Sequence, residues 1–133
     1  NSWLHNSLRL VKGRSKCVLL INPVDALKRQ IVDGQTVAVS SRVGRIELPV
    51  EISDEIMPGV VSIPHGWGHN RPNLQLSVAQ EHAGVSLNDL TDELAIDAVS
   101  GSAAFSGVLV EVKAVSNKVS YSRDLVESLK ASD

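Results

Sequence analysis

Between Val18 and Asn70 this chain carries a turn or cap signal every few residues, which leaves room for short elements and little else. Val18 to Ile21 is an apolar run fit for a buried strand. Asn22 can cap a helix through its side-chain oxygen, and Pro23 suits the first helical position. Asp25, three residues after the cap, is expected to meet the free N–H groups at the positive end of the helix dipole. Ala26, Leu27, Gln30 and Ile31 then predict one short helix with its apolar side inward. Asp33-Gly34 signals a turn, and Thr36 to Ser40 reads as a strand. Val43-Gly44-Arg45 predicts a reverse connection with Gly44 free to take a positive φ. Ile46, Leu48, Val50 and Ile52 alternate with Glu47, Pro49 and Glu51, so one face is apolar and the other polar. Pro49 lacks an N–H and predicts an edge or a bulge. Pro58-Gly59 turns the chain again, Val60 to Ile63 is another strand, and the run ends in the loop PHGWGHN. The sum is a small barrel with a helix plugged into it, not the alternation of strands and long helices that makes a dinucleotide fold.

Outside this run the signals are sparser. Leu8 to Val11 predicts the start of a strand, followed by the basic turn Lys12-Gly13-Arg14-Ser15. Leu74, Val78, Ala79 and His82 have helical spacing, with Gly84 placed to end that helix in the left-handed conformation. Asn88 to Asp92 is a tight polar loop, Ala98 to Gly107 is turn-rich, and Val108 to Val115 alternates as a closing strand. The expected division is a barrel over residues 1–115 and a polar tail over 116–133, weakly ordered or loosely helical. The chain opens on Asn1 inside the motif-like string NSWLHN, which reads as a piece of a longer polypeptide.

Composition removes several function classes. The length of 133 residues suits one domain, and aromatics at 3% mean that the core is aliphatic. A net charge of −2 gives no electrostatic case for nucleic acid or an anionic membrane. No apolar run reaches the length of a membrane span, and no signal peptide is visible. Cys17 is the sole cysteine, so no internal disulfide and no cysteine-rich zinc or iron–sulfur site can form; it reads as a small core residue.

The chemistry is expected in three polar loops: Asn1 to Asn6, His65 to Asn70 and Asn88 to Asp92. In a small barrel such loops can gather at one rim. Glycine lets backbone approach a ligand, Asn and His match the edge of a heterocycle, and Ser with backbone N–H groups suits phosphate. The combination fits a flat polar ligand with a phosphate arm better than a nucleophilic triad. Other readings stand beside it. His65 and His69, four apart, allow a zinc site with His5 or His82, though without a helical carboxylate–histidine motif. Trp67 is either a loop anchor or a ligand-facing ring, Trp3 reads as packing, and Asn88 could be a plain turn residue. Gly101-Ser102 matches the cut site of self-processing decarboxylases of similar barrel shape, on a common dipeptide.

The strings NSWLHN, INPVDALKRQIVDGQTVAVSSRVGRIELPVEI, PGVVSIPHGWGHN, GVSLNDLTD and AVSGSAAFSGVLVEV, in this order, resemble the carboxy-terminal domain of molybdopterin oxidoreductases. This family includes formate dehydrogenases, nitrate reductases and thiosulfate or polysulfide reductases, and the resemblance covers about residues 1–115. It implies a mainly β fold: a double-psi β-barrel of the aspartate-decarboxylase kind with one or two short helices. It implies a domain that holds the pterin and dinucleotide of bis-molybdopterin guanine dinucleotide, with the molybdenum carrying the redox chemistry. Carried over by position, the cofactor-facing residues are Asn1, Ser2, His5 and Asn6, then His65, Gly66 and Trp67, then Asn88 and Thr91. No catalytic residue and no metal ligand fall in this sequence. The resemblance assigns those, and any iron–sulfur cluster, to other domains of a parent oxidoreductase, so the isolated domain is expected to be inactive. Its implied partners are those domains and electron-transfer subunits, with no nucleic acid and no membrane contact. The fragment itself is expected to be soluble, in the cytoplasm or periplasm. A protein-interaction module like the amino-terminal barrel of some AAA ATPases is the alternative, with a self-processing decarboxylase behind it.

Overall fold

The computed structural model describes residues 2–115, with the side chain of Ser2 excepted. The expected polar tail over 116–133 and the site residue Asn1 lie outside them. A 3-10 turn over Ser2–Asn6 opens the chain, and a long connection leads to β1, Leu19–Ile21. Then follow α1 (Pro23–Lys28), β2 (Thr36–Ser40), β3 (Arg45–Ile52) and β4 (Val61–Ser62). After them come α2 (Ser77–Glu81), a second 3-10 turn over Leu87–Asp89 and β5 (Glu111–Ala114). Among the described residues no helix is long and apolar enough to cross a membrane.

The architecture is mainly β with short helices, as read from the sequence. The strands form one curled sheet in the order β4-β1-β3-β2-β5. β1 runs parallel to β3, and every other neighbouring pair is antiparallel. The core is aliphatic. Leu19, Ile21, Val37, Val39, Ile46, Leu48, Val50, Leu90 and Val112 form one buried cluster, with Ala26 and Ile31 from the α1 region. β3 alternates buried and exposed positions from Arg45 to Val50, so its apolar face meets that cluster and its charged face meets water.

Pro49 has a different place from the one expected. β3 is central, not an edge strand. It pairs with β2 over residues 45–49 and with β1 over residues 50–52. The Val50 N–H donates to the Gln35 carbonyl, on the β2 side. By alternation, the N–H that Pro49 lacks would face the β1 side, one step before that pairing starts. The proline therefore costs no ladder hydrogen bond.

Other local readings need correction. Residues 8–11 form turns, with the Leu10 and Val11 N–H groups donating to the Ser7 carbonyl, and not a strand. Leu27 faces water while Ala26 is buried, so the inward stripe of α1 is narrower than predicted. Asn22 caps α1 as expected, but the Asp25 carboxylate turns away from the helix start. It accepts from the Gly59 N–H at 2.5 Å and lies 3.6 Å from Arg29. α2 is shorter than its predicted span; its end at Glu81 precedes Gly84, which does adopt φ +58°. Trp3 is exposed rather than packed. Gly101 and Ser102 sit in a tight loop closed by the Ile96–Ala103 bridge.

Candidate functional site

His5 is the penultimate residue of the first 3-10 turn, and its ring stacks on Trp67 with centroids 4.1 Å apart and planes 30° from parallel. Its Nδ1 shares a hydrogen bond of 2.9 Å with Nε2 of His69. His69 is buried at 6% exposure, an unusual place for an imidazole unless its ring nitrogens are used. The loop that carries Trp67 and His69 is fixed from behind. The Gly68 and His69 N–H groups both donate to the Ala83 carbonyl, at 2.7 and 3.1 Å. A Cβ on Gly68 would sit within 3.0 Å of Ser86 backbone and side-chain atoms, so the two segments touch where only glycine fits.

The third loop joins the same block. Arg71 pairs with Asp89, which ties the end of the second loop to the second 3-10 turn. From the other side, Arg42 grips Asp92 through Nε at 2.5 Å and Nη2 at 2.6 Å. That two-pronged hydrogen bond holds the Asp92 carboxyl down at about 2. Leu90 lies in the core, so the Asn-x-Leu-Thr stretch is pinned by its leucine and presents Asn88 outward. The three polar segments are thus stitched together by His5 to Trp67 and His69, by Gly68 to Ser86, and by Arg71 to Asp89.

Within this block the expected site residues separate. His5 and Trp67 line one cleft of about 210 Å³, facing His82 and the segment Leu10 to Lys16. Asn6 does not offer its oxygen to a ligand. That oxygen accepts from the Val78 and Ala79 N–H groups at 3.0 and 3.1 Å, which caps α2 from outside, and only its NH₂ remains. His65 is exposed and Gly66 takes φ +98° beside it. Asn88 is exposed, and its carbonyl accepts from the Thr91 N–H at 3.3 Å and Thr91 hydroxyl at 2.9 Å. Thr91 borders another groove, shared with Leu87, Phe105 and the β4 region. His69, weighed in the sequence as a partner of His65, is instead the partner of His5. Among the described residues no three His, Cys, Asp or Glu side chains gather as metal ligands would.

The sequence reading marked Lys12-Gly13-Arg14-Ser15 as a basic turn but gave it no part in the site. Lys12, Arg14 and Lys16 line the cleft together with His5, Trp67 and His82, and no carboxylate does. The signal was present as three cations in the five residues KGRSK, but the chain's net charge of −2 hides a local concentration of the opposite sign. Arg14 lies 3.7 Å from Glu51 in an exposed pair, and among the described residues no carboxylate pairs with Lys12 or Lys16. An aromatic stack facing a row of cations can hold a planar ring at one end and phosphate at the other.

The chain is similar to known proteins in sequence and in fold. A sequence model of the family described as "Molydopterin dinucleotide binding domain" matches residues 1–109. The dimethyl sulfoxide/trimethylamine N-oxide reductase of Cereibacter sphaeroides is 41% identical over 44% of this chain and 7% of its own length. A tetrathionate reductase chain of Salmonella typhimurium is 26% identical over 74% of this chain and 11% of its own. The chain spans between 7% and 14% of the length of the curated relatives it matches. Among solved structures, the acetylene hydratase of Pelobacter acetylenicus superposes with a TM-score of 0.59, covering 74% of this chain and 14% of that one. At 20% identity that likeness bears on the fold. The family match covers nearly all of the described residues, and so the chain belongs to the molydopterin dinucleotide binding domains found in molybdopterin oxidoreductases.

Proposed function

We propose that this chain holds the pterin and guanine dinucleotide of a bis-molybdopterin guanine dinucleotide cofactor within a larger oxidoreductase, and supplies no catalytic group itself. The observation that carries this reading is the cleft in which the His5–Trp67 stack faces Lys12, Arg14 and Lys16. Those residues fit the group: the lysines and arginine match its phosphates, and the imidazole and indole match its rings. When bound, the cofactor would supply the redox chemistry at its molybdenum. The protein's part is to hold and orient. In this reading the Asn88 carboxamide, which bonds no other described residue, faces a pterin edge, and the NH₂ of Asn6 is a second donor. In this reading the family motif also assigns cofactor contacts to His65, Gly66 and Thr91, and to Asn1 and Ser2, whose side chains lie outside the described residues. Residues 1–115 are the barrel, and its double-psi form is supported by the parallel β1–β3 pair inside an otherwise antiparallel sheet. Leu94, Ile96, Val99, Phe105 and Leu109 are exposed large apolar residues on one excursion of the chain, and we read them as contacts with the remaining domains of the parent.

The test is a titration of the ¹⁵N-labelled chain with guanosine diphosphate, followed by amide and imidazole shifts. Changes confined to His5, Gly13 to Lys16, Trp67 and His82, and lost in a Lys12→Glu/Lys16→Glu variant, are expected. No localised change, or changes that leave His5, Trp67 and the Lys12 to Lys16 segment unmoved, would reject the assignment.

A further inference from the structure

The buried histidine behind the cleft has a role that neither the fold nor the family match assigns. His5 has two ring nitrogens, and Nδ1 is taken by His69. Its Nε2 points away from His69, and no group among the described residues bonds it. The ring plane is set by Trp67 from the face and by His69 from the edge, at an interplanar angle of 85° between the two imidazoles. His69 cannot swing away, because its backbone is bonded to Ala83 and its side chain is buried.

We infer that His69 is the positioning residue for His5: it fixes the plane and tautomer of that ring, so that His5 Nε2 meets a heterocyclic ligand as one neutral donor or acceptor of set direction. This rests on the reading of the cleft as a ring-binding site. In a hydrogen-bonded imidazole pair, the proton on the shared bond decides what the outer nitrogen offers. If His5 donates from Nδ1, its Nε2 accepts; if His69 donates, His5 Nε2 carries the proton. Either arrangement keeps the pair neutral, and a proton added to one ring opposes a proton on the other. The groups facing the pair across the cleft are Lys12, Arg14, Lys16 and His82, and none is acidic. Burial, with His69 as the next cause, accordingly pushes the His5 imidazole below its ordinary value of 6.5. A neutral, oriented nitrogen suits the edge of a purine or pterin, while the cations beside it take the phosphates.

The experiment uses the ¹⁵N-labelled 133-residue chain as wild type, His69→Gln and His69→Leu. Long-range proton–nitrogen spectra report the His5 tautomer and its titration, and amide spectra report folding. In wild type one neutral His5 tautomer is expected to dominate. His69→Gln, whose amide reaches a similar position, keeps the tautomer and, with the His69 charge gone, raises the His5 midpoint. His69→Leu lowers the tautomer preference by roughly fivefold or more, the factor one net hydrogen bond is worth, and moves the His5 midpoint up toward 6.5. If His69→Leu does not fold, His69→Gln decides: an unchanged His5 midpoint would overturn the inference. So would an unchanged His5 tautomer in folded His69→Leu. Guanosine diphosphate added to the same samples separates the two ideas. Shifts in the cleft with an indifferent His5 tautomer sink the role of His69 alone. A locked tautomer with no response to the nucleotide sinks the ring-binding reading.

Discussion

A Cβ on Gly44 would lie 2.0 Å from the carbonyl oxygen of Asp89. The β2–β3 connection therefore packs directly on the second 3-10 turn, and glycine is needed there for space. The expected positive φ is not what the residue uses. Gly44→Ala should destabilise the chain by about 1–3 kcal/mol, the usual cost of forcing an extra methyl into a packed contact. Urea unfolding monitored by circular dichroism checks this. Gly34→Ala is the comparison: nothing lies within 4 Å of its Cβ position, but φ is +77°, so its cost is backbone strain alone. That strain is roughly 1–2 kcal/mol.

Leu90 is 1% exposed and joins the polar loop to the core. Leu90→Ala should cost about 2–5 kcal/mol and lower the melting temperature accordingly. If the loop hung on Arg42 and Arg71 instead, the loss in thermal melts would be far smaller.

Asn6 separates structural from ligand-facing chemistry. Asn6→Asp keeps the oxygen that caps Val78 and Ala79, whereas Asn6→Ala removes it. The alanine variant should weaken the α2 start by about 1 kcal/mol or a little more. Hydrogen exchange at the Val78 and Ala79 amides should then quicken roughly fivefold or more, a change that Asn6→Asp does not produce.

Asn22 is buried and uses both ends of its amide. Oδ1 accepts from the Val24 N–H at 2.9 Å and Nδ2 donates to the Ile56 carbonyl at 2.6 Å. Asn22→Ala should cost roughly 1–3 kcal/mol, a lost cap together with an unpaired carbonyl. Asn22→Asp keeps the cap but sets a carboxylate against that carbonyl, so denaturant curves should show it weakened as well.

Acid should reveal the Arg42–Asp92 pair. The Asp92 carboxyl titrates at about 2 in the folded chain, against an ordinary 3.8. A lowered carboxyl favours the folded state above the ordinary value, and that contribution is lost as pH falls from 3.8 toward 2. Arg42→Ala should raise the Asp92 midpoint in a carboxyl NMR titration and flatten the acid limb of the stability curve. An unmoved midpoint would show that the N–H of Leu94, which bonds the same carboxylate, holds it down alone.

The short β elements were legible because their signals are local. Thr36 to Ser40 matches β2, Arg45 to Ile52 matches the alternating run within one residue, and Asn22-Pro23 starts α1 where expected. What failed depends on contacts far along the chain. Nothing near Asp25 says that Gly59 will donate to it, and nothing near Asn6 says that α2 will need its oxygen. The His5–His69 bond joins residues sixty-four positions apart. Spacing along a loop suggested His65 as the partner of His69, whereas the fold brings His5 there. The basic wall was readable as KGRSK, but its meaning required seeing what stood opposite.

The strand that changes neighbours at Pro49 also bears on how the chain reaches its fold. The β2–β3 pairing spans a tight reverse turn and can form early. The β1–β3 pairing must bring Leu19 beside Val50 across the whole intervening helix and hairpin. Loop-closure entropy then delays docking of the first strand relative to the hairpin, and a single residue unable to donate marks where the hairpin pairing ends and the later pairing begins.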